Sequence, residues 1–366
     1  MSNYKYKVMK RYDKKYHFKS MFNGNTGFFI RGNVLKEENG KLVETDEEPF
    51  MASYPELIDI GVMGRCVCAG KCNVDCYQKA ENTGKDMSLD DFTWIIEQSK
   101  GLLYEVALGG KGDVDTHANF KEILEVCAEN YIVPNFTTSG IALTDRSVDL
   151  CKEYCGAVAV SEHFSDYTKR AVQMLLKKGV KTNIHYVLST KTIDYAIKIL
   201  KNEVDYFKGI NAVVFLLYKP VGYGREEFVL QPTDNKLREF FEAFDNRKAG
   251  FKIGFDSCSA PGLLNYASVY DKEFVDYCEG GRFSMYIGPD MYAMPCSFAN
   301  QDTSWQYKLD KNTGQDILSA WNSELFEKFR GSLRNRCAGC KDRLSCGGGC
   351  PLLSSIVLCD RAERTF

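Results

Sequence analysis

The chain of 366 residues lacks long apolar runs and has no excess of either charge. No stretch approaches the 18 or more consecutive apolar residues that a membrane span needs. The polar beginning, MSNYKYKVMKRYDKKYHFKS, is unlike a secretory signal. The 47 basic residues are balanced by 49 acidic ones, so nothing favours binding to nucleic acid or to an anionic membrane. The sequence therefore predicts a cytoplasmic protein with neither nucleic acid nor a membrane as a partner.

The sequence also lacks internal repeats, low-complexity tracts and a proline-rich linker, with only 9 prolines in all. Cysteine, in contrast, is abundant: there are 15, an odd number, and most of them are clustered. Disulfide-stapled scaffolds are typical of short secreted domains in oxidising compartments, which this chain does not resemble. The cysteines are therefore predicted to bind metal.

From residue 57 onward, apolar runs alternate with amphipathic stretches. The apolar runs are rich in β-branched and aromatic residues and predict six strands, at 57–63, 103–110, 132–138, 157–161, 181–188 and 212–218. The amphipathic stretches predict helices at 88–100, 118–130, 144–154, 165–178, 192–202 and 234–246. Wholly apolar strands separated by single helices are typical of a parallel sheet covered by helices. The predicted fold class is α/β, with a partial (β/α)6 TIM-like barrel whose chemistry lies at the carboxyl ends of the strands.

Three parts are expected along the chain. Residues 1–55 form a short β-rich segment, because GFFIRGNVL alternates and EENGK is typical of a turn. Residues 56–256 form the barrel. Residues 257–366 form a second domain held together by metal, with one convincing helix at 316–333 and the glycine-rich stretch CGGGCP.

The first predicted strand is followed at once by four cysteines, in GRCVCAGKCNVDCY: Cys66, Cys68, Cys72 and Cys76. Several thiolates in one loop suit a soft metal or an iron–sulfur cluster. Three thiolates on a four-iron cube leave one iron open to a substrate or cofactor. A zinc site, or buried thiols without metal, is the alternative interpretation.

The C-terminal part holds a second group of cysteines with a specific spacing. Cys337-x2-Cys340-x5-Cys346-x3-Cys350 is followed by Cys359 and preceded by Cys278 and Cys296. With Cys258 as an eighth thiolate, two complete four-cysteine shells are possible. Two structural zinc sites would fit the same pairs. The remaining cysteines, Cys127, Cys151 and Cys155, are interpreted as small buried apolar groups.

Together, the loop after the first strand, the glycine pair after the second and the CX2CX5CX3C spacing resemble radical S-adenosylmethionine (SAM) enzymes with a C-terminal SPASM domain. This group includes peptide maturases and anaerobic sulfatase-maturing enzymes, and the resemblance covers about residues 55–360. It implies three 4Fe-4S clusters, one that binds SAM and two auxiliary ones. The first loop departs from the family's usual CX3CX2C.

The resemblance also implies which cysteines bind each of the three clusters. The SAM-binding cluster is assigned to Cys66 (or Cys68), Cys72 and Cys76, with Tyr77 as the aromatic residue that commonly follows. By motif order, the nearer auxiliary cluster is assigned to Cys278, Cys296, Cys350 and, as a proposed fourth ligand, Cys258. The outer auxiliary cluster is assigned to Cys337, Cys340, Cys346 and Cys359.

Several shorter segments resemble the SAM-binding elements of the family less closely and suggest which residues contact SAM. ALGGKGD resembles the family's GGEP element, so Gly109 and Gly110 are expected to present backbone groups to the SAM amine. Asp113 is a displaced substitute for the missing glutamate. TTSG, with Ser139, resembles the third-strand TTNG, and VAVSEH places Ser161 where a polar residue contacts SAM.

The implied function is that of an oxidoreductase that modifies a ribosomally made peptide, through a thioether or carbon–carbon cross-link. Oxidation of a Ser or Cys in a sulfatase is the alternative within the family, and a zinc-stabilised barrel without radical chemistry is the alternative outside it. Implied partners are the peptide and an electron donor such as flavodoxin or ferredoxin. Residues 1–55 are too few for a full winged-helix leader-binding domain, so a leader peptide would need a separate leader-binding protein or another surface. His117 and His163 follow predicted strands and are candidates for lining the cavity.

Overall fold

A computed structural model of the protein describes residues 2–72, 74–271, 274–300, 302–335, 337 and 339–360. Within the predicted C-terminal domain, residues 272, 273, 301, 336, 338 and 361–366 thus lie outside the described residues. None of the helices in these ranges has the length and apolar character that crossing a bilayer requires.

The first 55 residues form two small antiparallel sheets. Strands β1 (Val8–Asp13), β2 (Phe18–Asn23) and β3 (Phe28–Arg31) make one sheet in that order. Strands β4 (Leu35–Glu38) and β5 (Lys41–Glu44) form a separate hairpin. The alternating GFFIRGNVL corresponds to β3 and the start of β4, and EENGK contains the turn between β4 and β5.

Six strand–helix units follow, as the apolar rhythm predicts. The parallel strands are β6 (Leu57–Met63), β7 (Glu105–Gly110), β8 (Val133–Thr138), β9 (Val158–Ser161), β10 (Thr182–Leu188) and β11 (Ala212–Leu217). The helices are α1 (Leu89–Gln98), α2 (Phe120–Glu129), α3 (Asp145–Tyr154), α4 (Asp166–Lys177), α5 (Ile193–Leu200) and α6 (Asn235–Asp245). The predicted α/β fold class is confirmed.

The chain after α6 adds strands to the same sheet. These strands are β12 (Lys252–Phe255), β13 (Ser284–Ile287), β14 (Tyr292–Met294) and β15 (Tyr307–Lys308). The full order is β12-β11-β10-β9-β8-β7-β6-β13-β14-β15, with β12 parallel to β11 and β13 parallel to β6. The six predicted strands are therefore flanked on both sides by further strands.

The C-terminal part also contains four short helices, α7 (Ala260–Tyr266), α8 (Ile317–Trp321), α9 (Glu324–Asn335) and α10 (Arg343–Cys346). The single helix predicted at 316–333 is two helices, because α8 ends at Trp321 and the Ser323 amide and hydroxyl both donate to the Ala320 carbonyl. The segment is anchored to the N-terminal part: the Trp321 indole donates to the Ala52 carbonyl over 3.0 Å.

The two faces of the parallel sheet differ in chemistry. Residues such as Ile60, Leu108 and Phe215 are 0–2% exposed and pack with the helices into one core. Their neighbours in sequence point to the opposite face, called here the inner face, because successive strand side chains alternate. The inner face includes Asp59 and His185, which are half-buried rather than fully buried. A polar inner face opposite a mostly apolar outer one is where a partial barrel can place chemistry.

Candidate active site

The four-cysteine loop begins directly after β6 ends at Met63, so it starts at the carboxyl end of the sheet. The Cys66 amide donates to the Glu81 carbonyl over 2.6 Å, which closes the loop on itself. At its far end, the Asp86 carboxylate accepts from the Gly64 amide and from the Arg65 guanidinium, each at 3.0 Å. Hydrogen bonds between residues near its two ends therefore close the loop.

Loops from two other strands press against the cysteine loop through glycines. Gly110, at the end of β7, has a φ of 118°, and a Cβ there would clash with the Met63 backbone. Gly222, after β11, has a φ of 68°, and a Cβ there would clash with the Tyr77 carbonyl. Only glycine tolerates both the conformation and the close approach. The cysteine loop is thus clamped between the ends of β7 and β11.

The thiols of this loop are gathered and shielded from solvent. Cys66 is 8% and Cys68 4% exposed, while Cys72 and Cys76 are half-buried. Burial raises the pKa of the Cys66 thiol, and the adjacent sulfurs of Cys72 and Cys76 contribute. Burial also raises the pKa of Cys68, to about 11. Such thiols ionise when a metal supplies positive charge, so this donor set fits an iron–sulfur cluster.

The residues predicted to contact SAM lie around this loop. Gly109 pairs in register with Gly61 on the neighbouring strand, and a Cβ built on Gly109 has no atom within 4 Å, so its face is open. Ser161 ends β9 and lies in register with His185. Ser139 lies just beyond β8, and its amide and hydroxyl both donate to the Asp113 carboxylate, at 2.7 and 2.5 Å. Asp113 therefore holds Ser139 in place.

Two polar residues of the inner face were not singled out from the sequence. Burial raises the pKa of Asp59 to about 6 and lowers the pKa of His185 to about 4. The Nδ1 atom of His185, on β10, lies 3.2 Å from the hydroxyl of Thr137, on β8. The signal was present as a charged residue inside the apolar run LIDIGVM and an imidazole inside KTNIHYVL.

The two histidines considered for the cavity have other contacts. His117 is 6% exposed; its Nε2 lies 3.1 Å from the Met87 carbonyl, and its Nδ1 accepts from the Asn119 amide over 3.0 Å. The Nδ1 atom of His163 lies 3.1 Å from the Tyr167 hydroxyl. The contacts of His117 are those of a structural residue that joins the loop after β7 to the segment before α1.

The C-terminal cysteines fall into two groups in space. In the first, the thiols of Cys258 and Cys350 are hydrogen-bonded, which raises the pKa of Cys258. Burial raises the pKa of Cys278, and the sulfurs of Cys258 and Cys296 add to the effect. In the second, one cavity near α7 and α10 is lined by all four cysteines of the predicted outer set: Cys337, Cys340, Cys346 and Cys359.

The spacing of these side chains bears on the kind of metal. Within the described ranges, no three His, Cys, Asp or Glu side chains are arranged to hold one metal ion. A structural zinc ion binds four ligands at about 2.3 Å from sulfur, so its thiolates are in contact with one another. Thiolates around a four-iron cube lie farther apart because the cube fills the space between them. Iron, sulfide and zinc analysis of the purified protein distinguishes the two kinds of site.

The loop after Cys76 touches the loop after Cys296. The rings of Tyr77 and Phe298 lie 4.8 Å apart between centroids. Beside these rings, the Asn300 side-chain amide donates to the Gln78 side-chain oxygen over 2.7 Å. The first cysteine loop and the nearer C-terminal cysteines are thus joined by direct packing.

Residues 278–342 match SPASM, described as an iron–sulfur cluster-binding domain. Among solved structures, SuiB from Streptococcus suis bound to precursor peptide SuiA aligns over 98% of each chain, with a TM-score of 0.70 and 16% identity. SuiB bound to S-adenosylmethionine aligns over 98% of this chain and 99% of that chain, with a TM-score of 0.71 and 16% identity. The chain shares the overall fold of SuiB, and its residues 278–342 match the SPASM domain.

The predicted resemblance is thereby confirmed at the level of fold and SPASM domain. The matched SPASM residues include Cys278, Cys296, Cys337 and Cys340 and end before the last three cysteines. Native anSMEcpe with bound AdoMet also aligns, over 81% of this chain and 89% of that chain, with a TM-score of 0.57 and 19% identity. No curated protein matches the sequence.

Proposed function

We propose that this protein is a radical SAM enzyme that installs a cross-link in a ribosomally made peptide. The observation that carries the proposal is the set of shielded thiols of Cys66, Cys72 and Cys76 at the carboxyl ends of the strands, above a polar inner face. The fold similarity to SuiB, which was crystallised with SAM and with a precursor peptide, supports the same assignment.

When bound, the SAM cluster and SAM supply a 5′-deoxyadenosyl radical that abstracts a hydrogen atom from the substrate. The chain holds that cofactor through Cys66, Cys72 and Cys76 and offers it the open backbone of Gly109. Asp113 fixes Ser139 toward the same loop. The inner face orients the target C–H bond and keeps water and other hydrogen donors away.

The proposal extends to partners and location. The nearer and outer cysteine sets would hold two auxiliary clusters, and an electron donor such as flavodoxin or ferredoxin would reduce the protein. A separate leader-binding protein would present the peptide. A cytoplasmic location suits thiols that must stay reduced.

Oxidation of a Ser or Cys side chain is the second candidate function. It is favoured by the similarity to native anSMEcpe bound to AdoMet and the Cp18Cys peptide, which covers 81% of this chain with a TM-score of 0.57. SuiB, which was crystallised with a precursor peptide, aligns over more of the chain and with a higher TM-score, so modification of a precursor peptide is preferred.

Anaerobic purification tests the cofactor assignment. We expect a brown protein with about twelve irons per chain and matching sulfide, as three cubes require. The C72A variant should lose about four irons and reductive formation of 5′-deoxyadenosine. The matched control is C127A, which removes a buried thiol of the helical core and should keep both. A colourless protein with stoichiometric zinc would support the zinc-stabilised barrel instead.

Mass spectrometry of co-expressed peptides separates the two reactions. The probes are short synthetic peptides that contain Cys and Ser. Cross-linking and oxidation of Ser both remove two hydrogen atoms, but only oxidation of Ser creates an aldehyde, whose reaction with a hydrazide adds a further mass. A hydrazide-reactive product would favour the second function.

A further inference from the structure

A buried lysine lies between the inner face of the barrel and the nearer cysteine set. Lys219 follows β11 and is 7% exposed. Its ammonium donates to the Asp256 carboxylate over 2.6 Å and to the Leu217 carbonyl over 2.8 Å. Asp256 is itself fixed, because it accepts from the Leu217 amide at 3.1 Å and from the Ser259 hydroxyl at 2.7 Å. The positive charge therefore has a defined position.

That position adjoins the predicted ligands of the nearer auxiliary cluster. Asp256 precedes Cys258 by two residues, and the ring of Phe298, two residues after Cys296, lies 4.6 Å from the ammonium. Burial opposes the charge on Lys219, but Asp256 and then the Cys258 sulfur outweigh it and hold the pKa of the ammonium above its ordinary value. Lys219 thus stays charged next to these sulfurs.

A purely structural role does not require this charge. Desolvating two ions is costly, and well-packed apolar residues of similar volume often serve a fold equally well or better. A fixed cation beside four thiolates, however, has a specific electrostatic effect. The cation favours the reduced state of the cluster, because that state carries one more negative charge. Net charge and surroundings are among the factors that set the reduction potential of iron–sulfur clusters.

We infer that Lys219, held by Asp256, is a positioning residue for electron transfer that raises the reduction potential of the cluster bound by Cys258, Cys278, Cys296 and Cys350. The inference rests on the proposed function. When a substrate carbon radical joins a thiol, one C–S bond forms and one proton and one electron leave. Lys219 favours acceptance of that electron at the nearer auxiliary site, whose Phe298 ring packs on Tyr77 beside the SAM loop.

The test is a redox titration of the anaerobic holoenzyme, followed by electron paramagnetic resonance. In K219M we expect one cluster to show an about tenfold lower ratio of reduced to oxidised form at a fixed potential, a shift of about 59 mV for one electron. The other two clusters should be unchanged. K219R, which retains the charge, should stay near the wild type, as should K208M, which removes an exposed surface charge.

A second variant keeps the inference testable if K219M does not fold. K219M/D256N removes both charges, and the potential of the same cluster should still lie below that of the wild type, because Lys219 has a larger electrostatic effect on the Cys258 sulfur than Asp256. Unchanged potentials in variants with full iron content would overturn the inference. A wild-type protein that binds no iron at the nearer set would instead overturn the proposed function.

Discussion

Cys66 and Cys68 compete for one place in the SAM cluster, and their surroundings differ. Cys66 stands nearest to the end of β6 and has both Cys72 and Cys76 among its charged neighbours. We therefore predict that C66S loses about four irons per chain and the cleavage of SAM, whereas C68S keeps both. Iron analysis and 5′-deoxyadenosine formation measure this. The reverse pattern would assign the ligand to Cys68.

His185 gives the fold a pH dependence with a definite sign. Burial lowers its pKa from 6.5 to about 4, so its stabilising contribution is complete above pH 6.5 and declines as the pH falls toward 4. Lowering the pH from 7.5 to 6.0 should therefore reduce the free energy of unfolding by about 1 kcal/mol through His185. Denaturant unfolding under anaerobic conditions should show a smaller decrease in unfolding free energy for H185Q than for the wild type.

The matched control for that experiment is H17Q, which replaces an exposed histidine of the N-terminal unit. H17Q should follow the wild type at both pH values. An H185Q protein that loses as much stability as the wild type would show that His185 is not the responsible group.

At the scale of elements, the clamp on the cysteine loop is the most sensitive contact. Alanine at Gly222 would combine a positive φ with a clash against the Tyr77 carbonyl. We predict that G222A lowers the unfolding free energy by more than about 2 kcal/mol and reduces iron binding at the SAM loop. Denaturant unfolding and iron analysis measure the two effects.

Gly250 provides the comparison, because it is exposed and a Cβ there meets no atom within 4 Å. G250A should change stability by no more than about 1 kcal/mol and leave iron content unchanged. Equal behaviour of the two variants would mean that the loops do not need their close approach.

At the scale of the whole molecule, Arg31 joins the N-terminal unit to the rest of the chain. It is 14% exposed and pairs with Glu56 at 2.8 Å and with Asp276 and Glu279, each at 3.3 Å. Its guanidinium also lies 3.4 Å from the Phe283 ring centroid. Because removing it leaves a buried Glu56 with fewer partners, R31M should cost about 3 kcal/mol.

The control is K36M, which removes an exposed pair with Glu47 on the hairpin and should cost no more than about 1 kcal/mol. Denaturant unfolding compares the two variants. A similar, small loss in both would show that the N-terminal unit is not anchored by the Arg31 network.

The sequence predicted the elements that depend on neighbouring residues and missed those that depend on contacts between distant parts of the chain. All six strand–helix units could be predicted because apolar runs and helical periodicity are local properties. Strand β12 was missed because KIGF is short and begins with an exposed lysine. The pairing of β13 with β6 could not be predicted because the two strands are more than 220 residues apart in the chain. Helices α8 and α9 were merged because the break at Ser323 depends on local hydrogen bonds.

The sequence by itself determined the fold class, the cysteine-rich loop after the first barrel strand and the SPASM spacing, since all three are patterns of neighbouring residues. Only the tertiary structure decided which side chains share the inner face with Asp59 and His185 and which cysteines approach one another. It also placed Lys219 between Asp256 and the nearer cysteine set. The reason is physical: charge, burial and thiol proximity arise from segments far apart in the chain, which meet only when the sheet closes around them.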